Sequence, residues 1–125
     1  MAEHWTVERH LQNKPEHVVA LYDRFIRLAE ACGPFVYSVA KTAITLKGSR
    51  RGFAGVTPRQ SSLTGYLDLQ RRIIDARIQR SNPYTKRLFV HRFRVLALDE
   101  LDDEFGAWLC EAYAVGHGAH LSATE

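Results

Sequence analysis

The chain has 125 residues, 46% of them apolar and 25% charged, which excludes a disordered or fibrous polypeptide and predicts one domain with its own core. No apolar run approaches the ~18 residues of a membrane span. The first ten residues carry charge and histidine where a secretion signal would be apolar, so a cytoplasmic protein is expected. The net charge of +3 hides a strong polarity along the chain. Residues 41–94 hold thirteen basic and two acidic side chains, whereas residues 95–125 hold seven acidic and no basic ones.

In chain order, a short helical turn near Val7–Leu11, capped by Thr6, is followed by an amphipathic helix from Pro15 to Cys32. Val18, Leu21, Tyr22, Phe25, Leu28, Ala29 and Cys32 recur at helical spacing, and Asp23, Arg24, Arg27 and Glu30 take the other side. Pro15 suits a first helical position and Gly33-Pro34 stops the helix. Short β-like runs bounded by turn residues follow at Phe35–Ala40, Thr42–Lys47, Gly52–Thr57, Leu63–Leu69 and Leu88–Val95. The segment Gln70–Thr85, with Arg71, Arg72, Arg77, Arg80 and Pro83, reads as a helical turn or a basic loop. A second helix is expected from Asp99 to Val115, with Asp99 as its cap and the acids of its first turn complementing the helix dipole. Its apolar stripe is Leu101, Phe105, Trp108, Leu109, Ala112 and Tyr113, and Gly116 ends it. The order predicts an α+β fold: an antiparallel sheet of four to five strands with an N-terminal and a C-terminal helix packed on one face. The domain spans residues 1–116, and residues 117–125 are expected to form a flexible tail.

The run KPEHVVALYDRF, then ACGPF, KTAI, RGFAGVTPR, VHRFRV and LDELDDEFGAWLCEAY, resembles the bacterial domain of unknown function 5655 over about Trp5–Gly116. Gln70–Tyr84 departs from that pattern. The resemblance carries no settled activity. Because some members are fused to other small domains, it implies an accessory or recognition module. It also implies a fold similar to the frataxin-like, iron-handling domains, a likeness of architecture that does not itself imply function.

Two cysteines at no coded spacing, Cys32 and Cys110, are expected to be reduced and to serve packing. The sequence offers no catalytic constellation, no metal set and no cofactor motif. His117-x-x-His120 lies in the tail, the DELDDE run lacks the glycine and spacing of a calcium loop, and neither a phosphate-loop nor a nucleophile-elbow sequence occurs. His91 alternates with Phe89, Phe93 and Val95 on one strand face, as a hydrogen-bonded core residue or as a proton carrier at the sheet margin. Asp68 alternates with Thr64 and Tyr66, placed to pair with Arg92 or Arg94.

The basic middle is the strongest signal. Its cations are interleaved with Phe53, Tyr66, Tyr84, Phe89 and Phe93, the mixture that backbone tracking and base stacking require. The expected function is a non-catalytic module for anionic partners, foremost nucleic acid, with no membrane role. Its anion contacts would be Lys41, Arg50, Arg51, Arg59, Arg71, Arg72, Arg77, Arg80, Arg92 and Arg94. One alternative is a small-molecule or metal-binding protein, with or without enzymatic activity, whose pocket gathers Lys41, Arg59 and His91. Another is a protein-interaction adaptor. On a helical wheel with Leu101 at zero, Asp99, Glu100, Asp103, Glu104 and Glu111 fall from about 160° to 300°. They are thus expected to face solvent and leave the basic middle unneutralised, with only Asp102 near enough to reach a cation.

Overall fold

The computed structural model describes residues 4–85 and 87–119. Helices α1 (Val7–Leu11) and α2 (Glu16–Glu30) lead into six strands: β1 (Val36–Val39), β2 (Ile44–Lys47), β3 (Gly52–Pro58), β4 (Leu63–Leu69), β5 (Ile78–Thr85) and β6 (Leu88–Val95). A 3-10 turn (Leu98–Glu100) then precedes α3 (Asp103–Gly116). The fold is α+β, and its one antiparallel sheet has the order β1-β2-β3-β4-β6-β5. Among the described residues no helix is long and apolar enough to cross a membrane.

The sheet has six strands where the sequence suggested four or five. The addition is β5, inside the segment read as a helical turn or loop. Its Ile78-Gln79-Arg80-Ser81-Asn82-Pro83 run lacks an apolar face because it is an edge strand, hydrogen-bonded to β6 alone and mostly exposed. Proline is tolerated in such a strand because one side of its backbone has no ladder to join.

The helices follow from local chemistry. Thr6 Oγ1 accepts the Arg9 N–H at 3.1 Å and starts α1. In α2 the stripe Val18, Leu21, Tyr22, Phe25, Ile26 and Ala29 is buried. The last helix begins later than expected. The Glu100 carboxylate turns back to accept the Leu96 and Ala97 N–H groups, and Leu101 leaves helical geometry at φ −95°, ψ 67°. Asp102, rather than Asp99, is therefore the cap, accepting from Phe105 N at 3.0 Å.

The stripes of α2 and α3 meet one sheet face, formed by Ile44, Leu46, Ala54, Val56, Leu63, Leu67, Leu69, Phe93 and Val95, in a single cluster. Phe25 stacks on Phe93 with centroids 5.7 Å apart, and the Phe105 ring meets Phe93 edge-on at 5.1 Å. Trp108, 4% exposed, extends this aromatic chain at 5.6 Å from Phe105. Gly33, at φ +143°, occupies a conformation that L side chains rarely adopt, and the Tyr113 hydroxyl passes over it to donate to Pro34 O at 2.7 Å.

Cys32 and Cys110 form a disulfide, contrary to the expected reduced pair. Cys32 follows α2 and Cys110 sits on α3, so helices distant in sequence bring the sulfurs together. That pairing removes the ground on which the cysteine count argued for a reducing compartment. Of the expected tail, His117 packs beside Tyr113 and Gly118 beside Arg50, closing α3 onto the β2–β3 turn. His120 and the rest of the tail lie outside the described residues.

Candidate anion and nucleic-acid interface

Residues directly opposed in an antiparallel sheet share a face. One row crosses all six strands: Tyr37, Leu46, Ala54, Leu67, His91 and Ser81, on the helix side. The adjacent row is Ser38, Thr45, Gly55, Tyr66, Arg92 and Arg80, on the side without helices. That open face gathers Arg92, Arg94 and Arg80 from the last two strands, Arg59 from the β3–β4 turn and Arg51 from the turn just before β3. Tyr66 and Tyr84 lie among them.

Arg80 and Arg92 are opposed in register, an arrangement of like charges that destabilises a strand pair. Both are exposed, as are Arg94 and Arg59, and no described residue forms an ion pair with any of these four. Arg59 Nε donates to Thr64 Oγ1 at 3.1 Å, which fixes it beside Arg92 along a groove of about 480 Å³. The groove floor contains Gly55 because Tyr66 lies across it; a Cβ at 55 would collide with that ring.

The other expected contacts are dispersed. Lys41 is exposed in the β1–β2 turn, next to Thr42 at the groove's end. Arg50 is at the opposite hairpin tip beside Gly118, and Arg72 donates to Ser81 O at 3.2 Å. Arg71 and Arg77 are taken up by α3. Arg71 makes a bidentate pair with Glu111 at 2.9 and 2.7 Å. Arg77 is buried over the Trp108 ring and bonds Asp75, Asp102 and Glu104, with Glu104 at 2.7 Å. The hydrogen bond to Asp75, followed by those to Asp102 and Glu104, holds its guanidinium well above the usual arginine range. Asp75 is held below the usual carboxylate range by the Arg77 guanidinium, and Asp102 by the Phe105 N–H and then Arg77.

Arg77 is thus a structural cation rather than a phosphate contact. Glu104 and Glu111, expected to face bulk solvent, reach cations because the 70–77 segment wraps over the α3 face instead of staying with the sheet. Neutralisation is therefore local: it takes Arg71 and Arg77 on the α3 side and Arg51 on the open face, where Asp68 pairs with it, whereas Arg59, Arg80, Arg92 and Arg94 have no acidic partner among the described residues.

His91 is fully buried on the helix side. Its Nε2 accepts the Ile73 N–H at 2.9 Å, so Nδ1 carries the proton and donates to Phe89 O at 3.2 Å. Burial holds the imidazole below its ordinary pKa, and Arg71 and Arg72 add to the effect. The expected pocket of Lys41, Arg59 and His91 is not assembled, since His91 and Arg59 are on opposite faces. Among the described residues no group of three or more His, Cys, Asp or Glu is placed to hold a metal ion.

Of the aromatics expected to stack on bases, Phe53 and Phe93 are core residues. Phe89 is opposed to Leu69 on the helix-side register, leaving Tyr66 and Tyr84 on the open face. Asp68 pairs with neither Arg92 nor Arg94. Val90 stands opposite it, and its partner is Arg51 at 2.8 Å. Burial pushes its carboxyl above the usual range, opposed by Arg51. Period-two alternation along β4 identifies Thr64, Tyr66 and Asp68 as one face; the Arg51 partner comes from a turn that no periodicity describes.

Neither the curated proteins nor the solved structures contain a match to this chain. Residues 7–116 match the sequence pattern described as domain of unknown function, DUF5655, with the first and last helices and all six strands inside the match. Nearly the whole folded domain is covered, and the chain belongs to the domain of unknown function 5655 family.

Proposed function

We propose that the open sheet face binds single-stranded nucleic acid through its phosphates, with bases resting on the sheet's tyrosines. The observation that carries this reading is the cross-strand pair Arg80–Arg92, flanked by Arg94 and Arg59, exposed and without an acidic partner among the described residues. A fold selected for stability alone gains nothing from opposed arginines. A polyanion converts their repulsion into charge-assisted hydrogen bonds and releases counterions. Tyr66 and Tyr84 supply the apolar planes that stacking requires. A sheet face free of helices gives an extended strand room to lie across β3, β4, β6 and β5.

Fluorescence anisotropy with labelled oligouridylates and oligothymidylates tests this. Affinity is expected to fall with salt at a log–log slope of about −0.7 per phosphate engaged. The double substitution Arg92→Gln/Arg94→Gln should flatten that slope, whereas Arg71→Gln, whose guanidinium is bound to Glu111, should leave it unchanged. No binding at low salt by single or double strands would overturn the reading. Equal losses from Arg71→Gln and from Arg92→Gln/Arg94→Gln would also overturn it.

A further inference from the structure

One end of the open face contains a feature that phosphate binding does not explain. Asp68 is only 3% exposed although its strand position faces the helix-free side. It is covered by Arg51, whose guanidinium carbon lies 5.3 Å from the centroid of the Tyr84 ring. Arg51 satisfies Oδ2, but Oδ1 is buried with no hydrogen-bond partner among the described residues. A buried carboxylate oxygen without a donor is costly and rare in folded proteins. Asp68 is itself part of the wall of a cleft of about 550 Å³, together with Tyr66, Tyr84, Arg51 and Arg92. Tyr84 is 61% exposed and so can swing aside as the outer wall.

We infer that this cleft is a guanine-selective base site, in which the Asp68 carboxylate accepts the N1–H and N2–H groups of the base. The inference rests on the nucleic-acid reading of the same face and deepens it. The chemistry is one of edges. Guanine presents two adjacent N–H donors, which match an ionised carboxylate as an acceptor-only group. Its O6 lies beside them, where the guanidinium of the Arg51–Asp68 pair can donate. Adenine would set its N1 lone pair against the carboxylate. Uracil offers a single N–H between two carbonyl acceptors, so the carbonyl that takes the place of the N2 amino group would face the carboxylate. The ring stacks against Tyr66 or Tyr84, and Arg92 is positioned for the attached phosphate. A site that buries an acceptor for one donor pattern discriminates strongly against bases lacking it.

Two arms separate a base within a strand from a free nucleotide. In the first, short oligouridylates with one central guanine, adenine or cytosine are titrated by anisotropy. The guanine oligomer is expected to bind at least about tenfold tighter, the least that one hydrogen bond to a buried charge contributes. Asp68→Asn should erase this preference while preserving the salt slope. Tyr84→Ala, at an exposed position that does not endanger folding, should weaken all oligomers and guanine most. In the second arm, guanosine, inosine and adenosine monophosphates are titrated calorimetrically, and inosine, lacking the N2 amino group, is expected to rank between the others. Equal affinity for all oligomers with the salt slope intact would overturn the guanine site and leave the strand-binding reading standing. Binding of guanosine monophosphate without any oligomer would keep the site and overturn the strand reading. Failure of both arms overturns both.

Discussion

The Cys32–Cys110 bridge gives the most direct test of the described fold. It links residues 78 apart, so reduction frees a large loop in the unfolded chain while the folded state keeps its packing. The loop-entropy relation assigns a closure of that length about 4.5 kcal/mol at room temperature. For a 125-residue domain the usual entropy of unfolding per residue converts this to a fall of roughly 17 °C in the melting midpoint. The measurement is a far-UV circular dichroism melt of the oxidised protein, the same protein in excess reductant, and the Cys32→Ser/Cys110→Ser variant. A thiol assay confirms the redox state at the start of each scan. The reduced and doubly substituted proteins should melt together, well below the oxidised form. A difference under about 4 °C, near 1 kcal/mol on the same conversion, would refute the argument. It would mean either that the bridge does not form or that the helices it joins stay associated in the unfolded chain.

Trp108→Ala should cost ~3–5 kcal/mol, because the ring is 4% exposed between Phe105 and the Arg77 guanidinium; chemical denaturation giving under ~1 kcal/mol would reject that packing. His91 is held neutral by burial below its ordinary value of 6.5, so the unfolded chain takes up a proton first as pH falls. Its contribution to stability is therefore full above about 6.5 and is lost as pH falls from there towards the lower folded value. Melting midpoints across that window should decline in the native protein and decline less in His91→Gln, and parallel declines would remove His91 as the cause. Gly55→Ala should displace the Tyr66 ring and weaken oligonucleotide binding as Tyr66→Ala does, measured by anisotropy; unchanged affinity would show that Tyr66 carries no base.

Periodicity, with turn and cap residues, identified most of this architecture. The helical stripe from Val18 to Ala29 and the two-residue alternation of Leu63–Leu69 and Leu88–Val95 are local patterns, set by which side of each element must leave water. They also placed His91 on the apolar side of its strand and Tyr66 with Asp68 on the other, because alternation decides a side chain's face before any partner is known. What alternation could not supply was partnership. β5 has no apolar face to announce it, and only its ladder with β6 makes it a strand. Arg71 and Arg77 looked no different in sequence from Arg92 and Arg94. The path of residues 70–77 over α3 gives the first pair carboxylates, while the sheet register leaves the second pair without them among the described residues. Cys32 and Cys110 met because two helices pack side by side, and Asp68 lost its water because Arg51 and Tyr84 close over it from separate segments. Hydrophobic pattern is written within each element, but ion pairs, disulfides and clefts depend on distances between elements, and only the folded chain sets those.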